Sequence, residues 1–150
     1  MDSLTWRRAG TGDARLLFDW RNDPRTRRAS HNGDELDFGS HLAWLEAALA
    51  SPDREIMVFE EEERPVGTVR VDREADGVAE LSWTVAPEAR GRGIAGRMVR
   101  AAADRLSREH VLRAEVKEGS VASARVAEGA GFSPAGRAGG VLHYRRERQA

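Results

Sequence analysis

The sequence predicts a single α/β domain covering residues 1–150. Its 150 residues are 40% apolar and 33% charged, which suits one hydrophobic core. Segments that alternate with period two are interleaved with segments whose apolar residues recur at helical spacing. No repeat, linker or break in composition divides the chain. The predicted order is a strand, two helices, three meandering strands, a helix, a strand, a helix and one or two closing strands.

The first third of the chain alternates between helical spacing and turn signals. Asp13 is a residue type that caps helices, and the helix it begins is stopped at Asn22-Asp23-Pro24. The polar stretch 25–39 is predicted to be irregular, and loops of that length are often functional. Ser40 is the predicted cap of the second helix. The elements predicted here are a strand at Leu4–Arg8 and helices from Asp13 to Arg21 and from Ser40 to Leu49.

The sequence of the remaining two thirds of the chain predicts a meander of three strands followed by alternating helices and strands. In the strand Val78–Val85, Leu81 and Trp83 point to one face and Glu80 to the other. The acidic turn Glu60–Glu63 is predicted to be a solvated hairpin tip, and Arg145, Arg146 and Arg148 a basic tail. The other predicted elements are strands at 55–60, 66–71 and 111–116, helices at about 94–109 and 120–130, and closing strands at Phe132 and at 141–146.

Composition excludes several functional classes. The chain has no cysteine, so disulfides, thiolate metal sites and a cysteine nucleophile are ruled out. Its 24 basic and 25 acidic side chains give no global charge that points to nucleic acid or an anionic membrane. No apolar run has the length of a membrane span, and the first residues lack the apolar core of a signal peptide. We therefore expect a cytoplasmic protein without a metal.

Residues 85–96, Val85-Ala86-Pro87-Glu88-Ala89-Arg90-Gly91-Arg92-Gly93-Ile94-Ala95-Gly96, link a strand to a strongly periodic helix through a glycine-bearing loop. The first N–H groups of a helix have no partner within it, and the helix dipole adds roughly half a positive charge there. Glycines let the backbone approach an anion closely. The segment therefore favours a pyrophosphate site, to which Arg90, Arg92 and Arg97 can add charge-assisted contacts. It matches neither the nucleotide P-loop nor the dinucleotide fingerprint.

Within that loop, Arg90-Gly91-Arg92-Gly93-Ile94-Ala95 resembles the acetyl-CoA motif of the GCN5-related N-acetyltransferase (GNAT) family, Gln/Arg-x-x-Gly-x-Gly/Ala, at every defined position. The resemblance extends over nearly the whole chain. It implies a mixed, mostly antiparallel central sheet of six to seven strands flanked by about four helices. It also implies an enzyme that transfers an acetyl group from acetyl-CoA, its co-substrate, to a primary amine. The backbone from Val85 would pair with pantetheine, and the pyrophosphate would be held by the amides of Arg90, Gly91, Arg92, Gly93, Ile94, Ala95 and Gly96.

A second segment, from Val116 to Phe132, resembles the late block of the same family, in which a helix begins at Asn and ends in Glu-x-x-Gly-Phe. Ser120 stands in place of the usual Asn, and is expected to cap the helix and to keep a weaker polar contact with pantetheine. Ser123 is a second candidate on the cofactor side and a weaker candidate for the general acid. Ala127 occupies the position that often carries the general-acid tyrosine, and it cannot donate a proton.

Acetyl transfer requires a neutral amine, a polarised thioester carbonyl and a proton for the departing thiolate. The resemblance assigns the polarising donor to the backbone N–H of Val85. Glu80 is the candidate base, directly or through water, because its strand is expected to line the cleft; a solvated strand glutamate is the alternative. Tyr144 is the only tyrosine and hence the only one that could act as the acid, with packing as an equally good interpretation.

The N-terminal third carries the signal for the acceptor. Phe18-Asp19-Trp20-Arg21-Asn22-Asp23-Pro24 resembles the opening of acetyltransferases that act on 4-amino-4,6-dideoxy sugars linked to a nucleoside diphosphate. His41-Leu42-Ala43-Trp44-Leu45 resembles the His-x-x-Trp helix of the same subgroup. The resemblance implies an acceptor side made by Trp20, Arg21, Asn22, His41 and Trp44. The alternative is that the tryptophans are core residues and Arg21-Asn22 only end a helix; His31 is a further candidate contact.

Three other functions compete with the sugar-nucleotide hypothesis. A peptide α-amine, which titrates near ~7.7–8.0, would need little help to lose its proton and would favour an acidic open groove. A non-catalytic acyl-CoA-binding module is suggested by Ser120 and Ala127. Arg-Gly nucleic-acid binding predicts steep salt dependence and no affinity for CoA. We expect a small-molecule amine as the partner, no nucleic acid or membrane, and a monomer or homodimer.

Overall fold

The computed structural model describes residues 4–29, 34 and 37–149, with only the backbone at residue 29. The described chain contains seven strands and five helices, with short 3₁₀ turns at Thr11–Asp13, Ala75–Gly77 and Pro87–Ala89. In chain order the elements are β1 (Leu4–Arg8), α1 (Ala14–Arg21), α2 (Pro24–Ala29), α3 (Phe38–Ala50), β2 (Arg54–Glu61), β3 (Arg64–Arg73), β4 (Val78–Val85), α4 (Ile94–Leu106), β5 (Val111–Lys117), α5 (Val121–Gly129), β6 (Ser133–Ala138) and β7 (Val141–Arg146).

All seven strands form one sheet, in the order β1-β2-β3-β4-β5-β7-β6. Every neighbouring pair is antiparallel except β4 and β5, which run parallel and pair only where Val78–Glu80 lie beside residues 111–113. The predicted fold class, a mixed and mostly antiparallel sheet with flanking helices, is confirmed. One additional helix, α2, brings the number of helices in the described chain to five.

The two faces of the sheet follow from strand register. Val69 pairs with Trp83 and Arg70 with Ser82, so these two pairs point to opposite faces. Helix α4 covers the Val69 face, and the N-terminal helices cover the Arg70 face. The close approach of α4 requires Gly67, because a Cβ there would lie 2.5 Å from the Met98 sulfur and 2.7 Å from the Thr84 carbonyl oxygen.

The predicted start of the first helix is correct, but Asp13 does not cap it with its side chain. The Asp13 carboxylate instead accepts the Gly10 N–H at 2.8 Å and pairs with Arg7 at 2.8 Å. The hydrogen bond from Arg7 lowers the pKa of Asp13. Asp13 therefore ties β1 to the turn before α1.

The stretch 25–39, predicted to be irregular, contains most of α2 and the start of α3. Pro24 is the first residue of α2, a position where its missing N–H costs nothing, and the Asp23 carboxylate accepts the Thr26 N–H at 3.2 Å. The next helix, α3, begins at Phe38 because Asp37 caps it by accepting the Ser40 N–H at 3.0 Å. The prediction that Ser40 is the cap is therefore wrong. His31 lies outside the described residues.

The C-terminal predictions hold in outline, with two corrections. The Ser120 hydroxyl makes no capping hydrogen bond to α5, although Ser120 directly precedes that helix. Arg146 is not part of a solvated tail: it is buried, and its guanidinium donates to the Ala130 carbonyl and to Asp104, both at 2.9 Å. The alternation of β7 turns Arg146 inward between α4 and the end of α5.

Candidate active site

A gap opens in the sheet where β4 and β5 separate. The two strands pair only up to Glu80 and Arg113, yet β4 continues to Val85 and β5 to Lys117. We call the gap between residues 81–85 and 114–117 the wedge. Because the strands are parallel, their carboxyl ends lie at the same edge of the sheet, and α4 and α5 begin just beyond it.

The backbone of β4 presents hydrogen-bonding groups to the wedge. The N–H of Ala86 donates to the Val66 carbonyl of β3 at 2.8 Å. Successive N–H groups of a strand point to opposite edges, so the N–H of Val85 points away from β3 and into the wedge. By the same alternation the N–H of Trp83 also points there. The donor that sequence resemblance assigns to Val85 is thus aimed at an open gap.

The loop between β4 and α4 leaves open space above its backbone. Gly91 and Gly93 have φ values of 79° and 72°, a backbone conformation that residues other than glycine rarely adopt. A Cβ built at Gly91, Gly93 or Gly96 would meet no atom within 4 Å. Gly93 precedes α4 without a capping side chain, so the first N–H groups of the helix face that space. The residues present fit an anion of pyrophosphate size, and their role in holding CoA stays a prediction.

The arginines of this loop are bound to carboxylates. Arg90 donates to Asp23 at 2.5 Å and to the Thr26 hydroxyl at 2.8 Å, both in the segment that joins α1 to α2. Arg92 and Arg97 lie 2.6 and 3.7 Å from Glu61. The prediction of a solvated acidic tip is therefore wrong for Glu61, whose side chain is only 15% exposed. Phosphates at this loop would compete with carboxylates for its guanidinium groups.

Glu80 lies at the apex of the wedge, on the face away from α4. The Nη2 of Arg113 donates to its carboxylate at 2.8 Å. Burial raises the pKa of Glu80, and the charge of Arg113 partly opposes that rise. Glu80 borders a cleft of about 560 Å³. The other residues lining this cleft are Trp44, Ala47, Ser51, Asp53, Arg54, Arg70, Asp72 and Arg73.

Three residues of the predicted acceptor side lie on the same sheet face as Glu80, together with Arg70, which was not predicted. The ring of Trp44 lies 5.7 Å from that of His41 and 5.6 Å from the Arg70 guanidinium. Burial, with the nearby charge of Arg70, lowers the pKa of Arg21. Burial, with the charge of Arg21, also lowers the pKa of His41. We call Arg21, His41, Trp44 and Arg70 the acceptor cluster.

Two predicted site residues lie elsewhere: Trp20 is outside the acceptor cluster, and Tyr144 is on the sheet face opposite Glu80. Trp20 is 4% exposed and belongs to the hydrophobic core, in keeping with the alternative interpretation of that residue. Tyr144 pairs with Ala114, whereas Arg113 faces Glu80, so Tyr144 and Glu80 are on opposite faces of the sheet. The Tyr144 hydroxyl is buried and donates to Glu128 at 3.3 Å. The structure therefore separates the candidate acid from the candidate base, and favours a packing role for Tyr144.

Several residues that shape the site were missed by sequence reasoning. Arg70 and Arg113 each lie in a strand whose polar and apolar residues alternate. This pattern predicts that each arginine is on the polar face of its own strand. Only the register of β3, β4 and β5 places both on the face of Glu80. Asp23 carried only a turn signal, and its contact with Arg90 spans 67 positions of sequence.

Within the described part of the chain, no group of three or more His, Asp or Glu side chains could hold a metal ion. None of the helices described has both the length and the hydropathy needed to cross a membrane.

Comparison with known proteins identifies the family. The model of the acetyltransferase (GNAT) domain matches residues 3–133. Among curated protein sequences, none matches this chain.

Three solved structures illustrate the similarity of fold. Aminoglycoside acetyltransferase AAC(6′)-Ib, in complex with paromomycin and acetyl-CoA, has a TM-score of 0.86 at 19% identity and covers 98% of this chain and 94% of its own. Spermidine N-acetyltransferase from Vibrio cholerae, with CoA and spermine, has a TM-score of 0.81 at 19% identity, over 95% and 92% of the two chains. An N-acetyltransferase from Staphylococcus aureus Mu50 has a TM-score of 0.81 at 19% identity, over 98% and 99%.

The family match covers most of the chain, and the wedge, the open glycine loop and the sheet order agree with it. The chain therefore belongs to the GNAT family of acetyltransferases, and is an acetyl-CoA-dependent N-acetyltransferase.

Proposed function

We propose that this enzyme acetylates the amine of an amino sugar linked to a nucleoside diphosphate. The observation that carries the proposal is the acceptor cluster, in which two arginines and a tryptophan lie on the face of Glu80. Acetyl-CoA, when bound, supplies the thioester whose acetyl group is transferred. The chain's own residues must hold the acceptor, take up its proton and orient the carbonyl.

The proton of the acceptor amine reaches Glu80 through water. Glu80 lies five residues from Val85, which is roughly 17 Å along an extended strand. An amine that attacks a carbonyl held at the Val85 N–H is therefore too far away for direct transfer. Ser82 and Thr84 point to the same face between the two positions, and their hydroxyls can hold the chain of waters that must relay the proton over this distance.

Two features of β4 support the other requirements of the reaction. The Val85 N–H points into the wedge, where it can donate to a carbonyl oxygen that gains negative charge. A thiolate is already a fair leaving group, so the reaction does not depend on a side-chain acid. This agrees with Ala127 at the usual tyrosine position and with Tyr144 bound to Glu128 on the other face.

The charge of the acceptor cluster favours an anionic acceptor. Arg70 is close enough to Arg21 to disfavour the charge of Arg21, and a bound diphosphate would relieve that repulsion. Asp72, 2.9 Å from Arg70, offsets only part of the Arg70 charge. Trp44, with Arg70 against its ring, offers a surface for a sugar or base.

A second candidate is the α-amine of a peptide. The cleft beside Glu80 also carries Asp53 and Asp72, and carboxylates favour a peptide amine. Arg54 and Arg70 lie 3.6 and 2.9 Å from Asp72, however, and neutralise much of its charge. For this reason we rank the peptide below the sugar nucleotide.

The test is a thiol-release assay with matched acceptors. An amino sugar is compared with and without its nucleoside diphosphate, beside a peptide with a free α-amine and a polyamine. We expect turnover to be highest with the diphosphate-linked sugar. The Arg70→Gln variant should raise KM for that acceptor about tenfold, the loss of one charge-assisted hydrogen bond, without changing KM for the unlinked sugar.

Arg54→Gln is the matched control, because it removes a cation from the same cleft outside the acceptor cluster. Equal rates for linked and unlinked sugars would contradict the proposal. Preference for the peptide would favour the second candidate. Cofactor binding without turnover of any amine would indicate a non-catalytic acyl-CoA-binding module.

A further inference from the structure

Lys117 is the last residue of β5 and stands at the mouth of the wedge. Arg113 faces Glu80, and side chains alternate along a strand, so Lys117, four residues later, points to the same face. The offset that pairs Glu80 with Arg113 would place Lys117 opposite Thr84. Its amine therefore belongs to the acceptor face, across the wedge from the end of β4.

Helix α2 links the two sides of the wedge. On the β5 side, the Lys117 Nζ donates to the Arg28 carbonyl at 2.9 Å. On the β4 side, Arg90 binds Asp23 and Thr26 at the start of α2. The Lys117 amine is thus held over the region where the enzyme must bring an amine to a thioester.

Lys117 is also the only lysine in the chain, since every other side chain counted among the 24 Lys and Arg residues is an arginine. A guanidinium stays protonated and is not an amine nucleophile under these conditions. Among the side chains of these 150 residues, the Lys117 Nζ is therefore the one primary amine.

We propose that Lys117 is a site of self-acetylation, an inference that rests on the acetyl-transfer activity of this site. The Nζ, after losing one proton, attacks the carbonyl carbon of the thioester. A C–N bond forms, the C–S bond breaks, and the leaving thiolate becomes CoA when it takes up a proton. No oxidant or reductant is needed. Glu115, two residues earlier on the same face, is the nearest carboxylate along β5 that can receive the first proton.

Acetylation changes the contact that Lys117 makes. The acetylated nitrogen keeps one N–H but loses its positive charge, so its hydrogen bond to the Arg28 carbonyl is weakened. The added acetyl group also occupies space at the mouth of the wedge. When no acceptor occupies the site, self-acetylation would therefore change the charge and the free space at the mouth of the wedge.

The experiment follows the intact mass of the protein after incubation with acetyl-CoA, and maps the modified peptide. Calorimetry first verifies that the preparation binds acetyl-CoA. We expect a gain of one acetyl group at Lys117, absent in Lys117→Arg, with an observed first-order rate constant that is independent of protein concentration. Gly93→Val, which disturbs the glycine loop between β4 and α4 and should weaken acetyl-CoA binding about tenfold, should be labelled about tenfold more slowly when acetyl-CoA is kept below the wild-type Kd.

Three results would overturn the proposal: no labelling of a preparation that binds acetyl-CoA, labelling only at positions other than Lys117, or equal labelling of wild type and Gly93→Val at acetyl-CoA concentrations below the wild-type Kd. An observed rate constant that rises in proportion to protein concentration would overturn transfer within one chain. The acceptor panel is run in parallel. Turnover of free amines without Lys117 labelling removes only this inference, whereas Lys117 labelling without turnover of the diphosphate-linked sugar removes only the proposed acceptor.

Discussion

The loop between β4 and α4 and the acceptor cluster are built differently. We call this loop, residues 86–93, the cofactor loop because it is predicted to hold CoA. The cofactor loop is a contiguous segment that presents backbone N–H groups around Gly91 and Gly93. The acceptor cluster is assembled from α1, α3 and β3, and presents side chains. Every molecule of acetyl-CoA carries the same pyrophosphate, which backbone N–H groups can hold. Acceptors differ between enzymes of the family, and side chains are needed to recognise them. The two regions should accordingly respond differently to substitution.

The largest effect is expected at the apex of the wedge. Glu80→Gln should lower kcat about 10²- to 10⁴-fold, the usual contribution of a general base, and leave the Kd of acetyl-CoA unchanged. Burial raises the pKa of Glu80, so the wild-type rate should fall as pH drops through that raised pKa, because protonation removes the base. The variant should lack this limb in a pH–rate profile.

Arg113→Gln supplies the internal control for this assignment. Arg113 stabilises the charged form of Glu80, so its removal should raise the pKa of Glu80 further and move the acid limb to higher pH. A pH–rate profile that is the same in wild type and Glu80→Gln would rule out Glu80 as the base.

A smaller effect, and of another kind, is expected in the cofactor loop. Gly93 has a φ of 72°, and a β-branched side chain in that conformation is strained by about 1–2 kcal/mol besides obstructing the backbone. Gly93→Val should therefore raise the Kd of acetyl-CoA about tenfold or more, as measured by calorimetry. Gly12→Ala, at a glycine with open space and no positive φ, is the control and should bind normally. Retained affinity in Gly93→Val would contradict the placement of the pyrophosphate.

The smallest effect is expected on stability, at His41 in the acceptor cluster. Burial lowers the pKa of His41, so the folded state disfavours its protonation. Its contribution to stability is present above the unfolded pKa of about 6.5 and is lost as pH falls through the lower folded pKa. His41→Phe keeps an aromatic ring against Phe18 and Trp44 and should lose less stability than wild type between pH about 7 and about 5 in denaturant titrations.

His143→Gln, which removes a half-exposed histidine, is the matched comparison for that measurement. The same pH dependence in wild type and His41→Phe would show that folding does not lower the pKa of His41.

Local patterns predicted the parts of the molecule that depend on neighbours in sequence. The alternation of β4 correctly separated Glu80 from Leu81 and Trp83, and the glycine-bearing loop was placed between a strand and a helix. The errors occurred where several short-range signals compete. Asp23 and Pro24, which predicted the end of the first helix, also begin α2. Asp37 caps α3 in place of Ser40, because Asp37 lies three residues earlier in extended backbone.

The sequence by itself determined the fold class, the family and the segment around Gly93, because helix starts, strand alternation and glycine conformation are properties of contiguous residues. Only the tertiary structure decided which side chains share a face. It joined Arg113 to Glu80, Arg90 to Asp23 and Glu61 to Arg92, and it turned Tyr144 to the opposite face. These contacts depend on strand register and on the parting of β4 from β5, which are set by packing across the sheet and not by any short stretch of sequence.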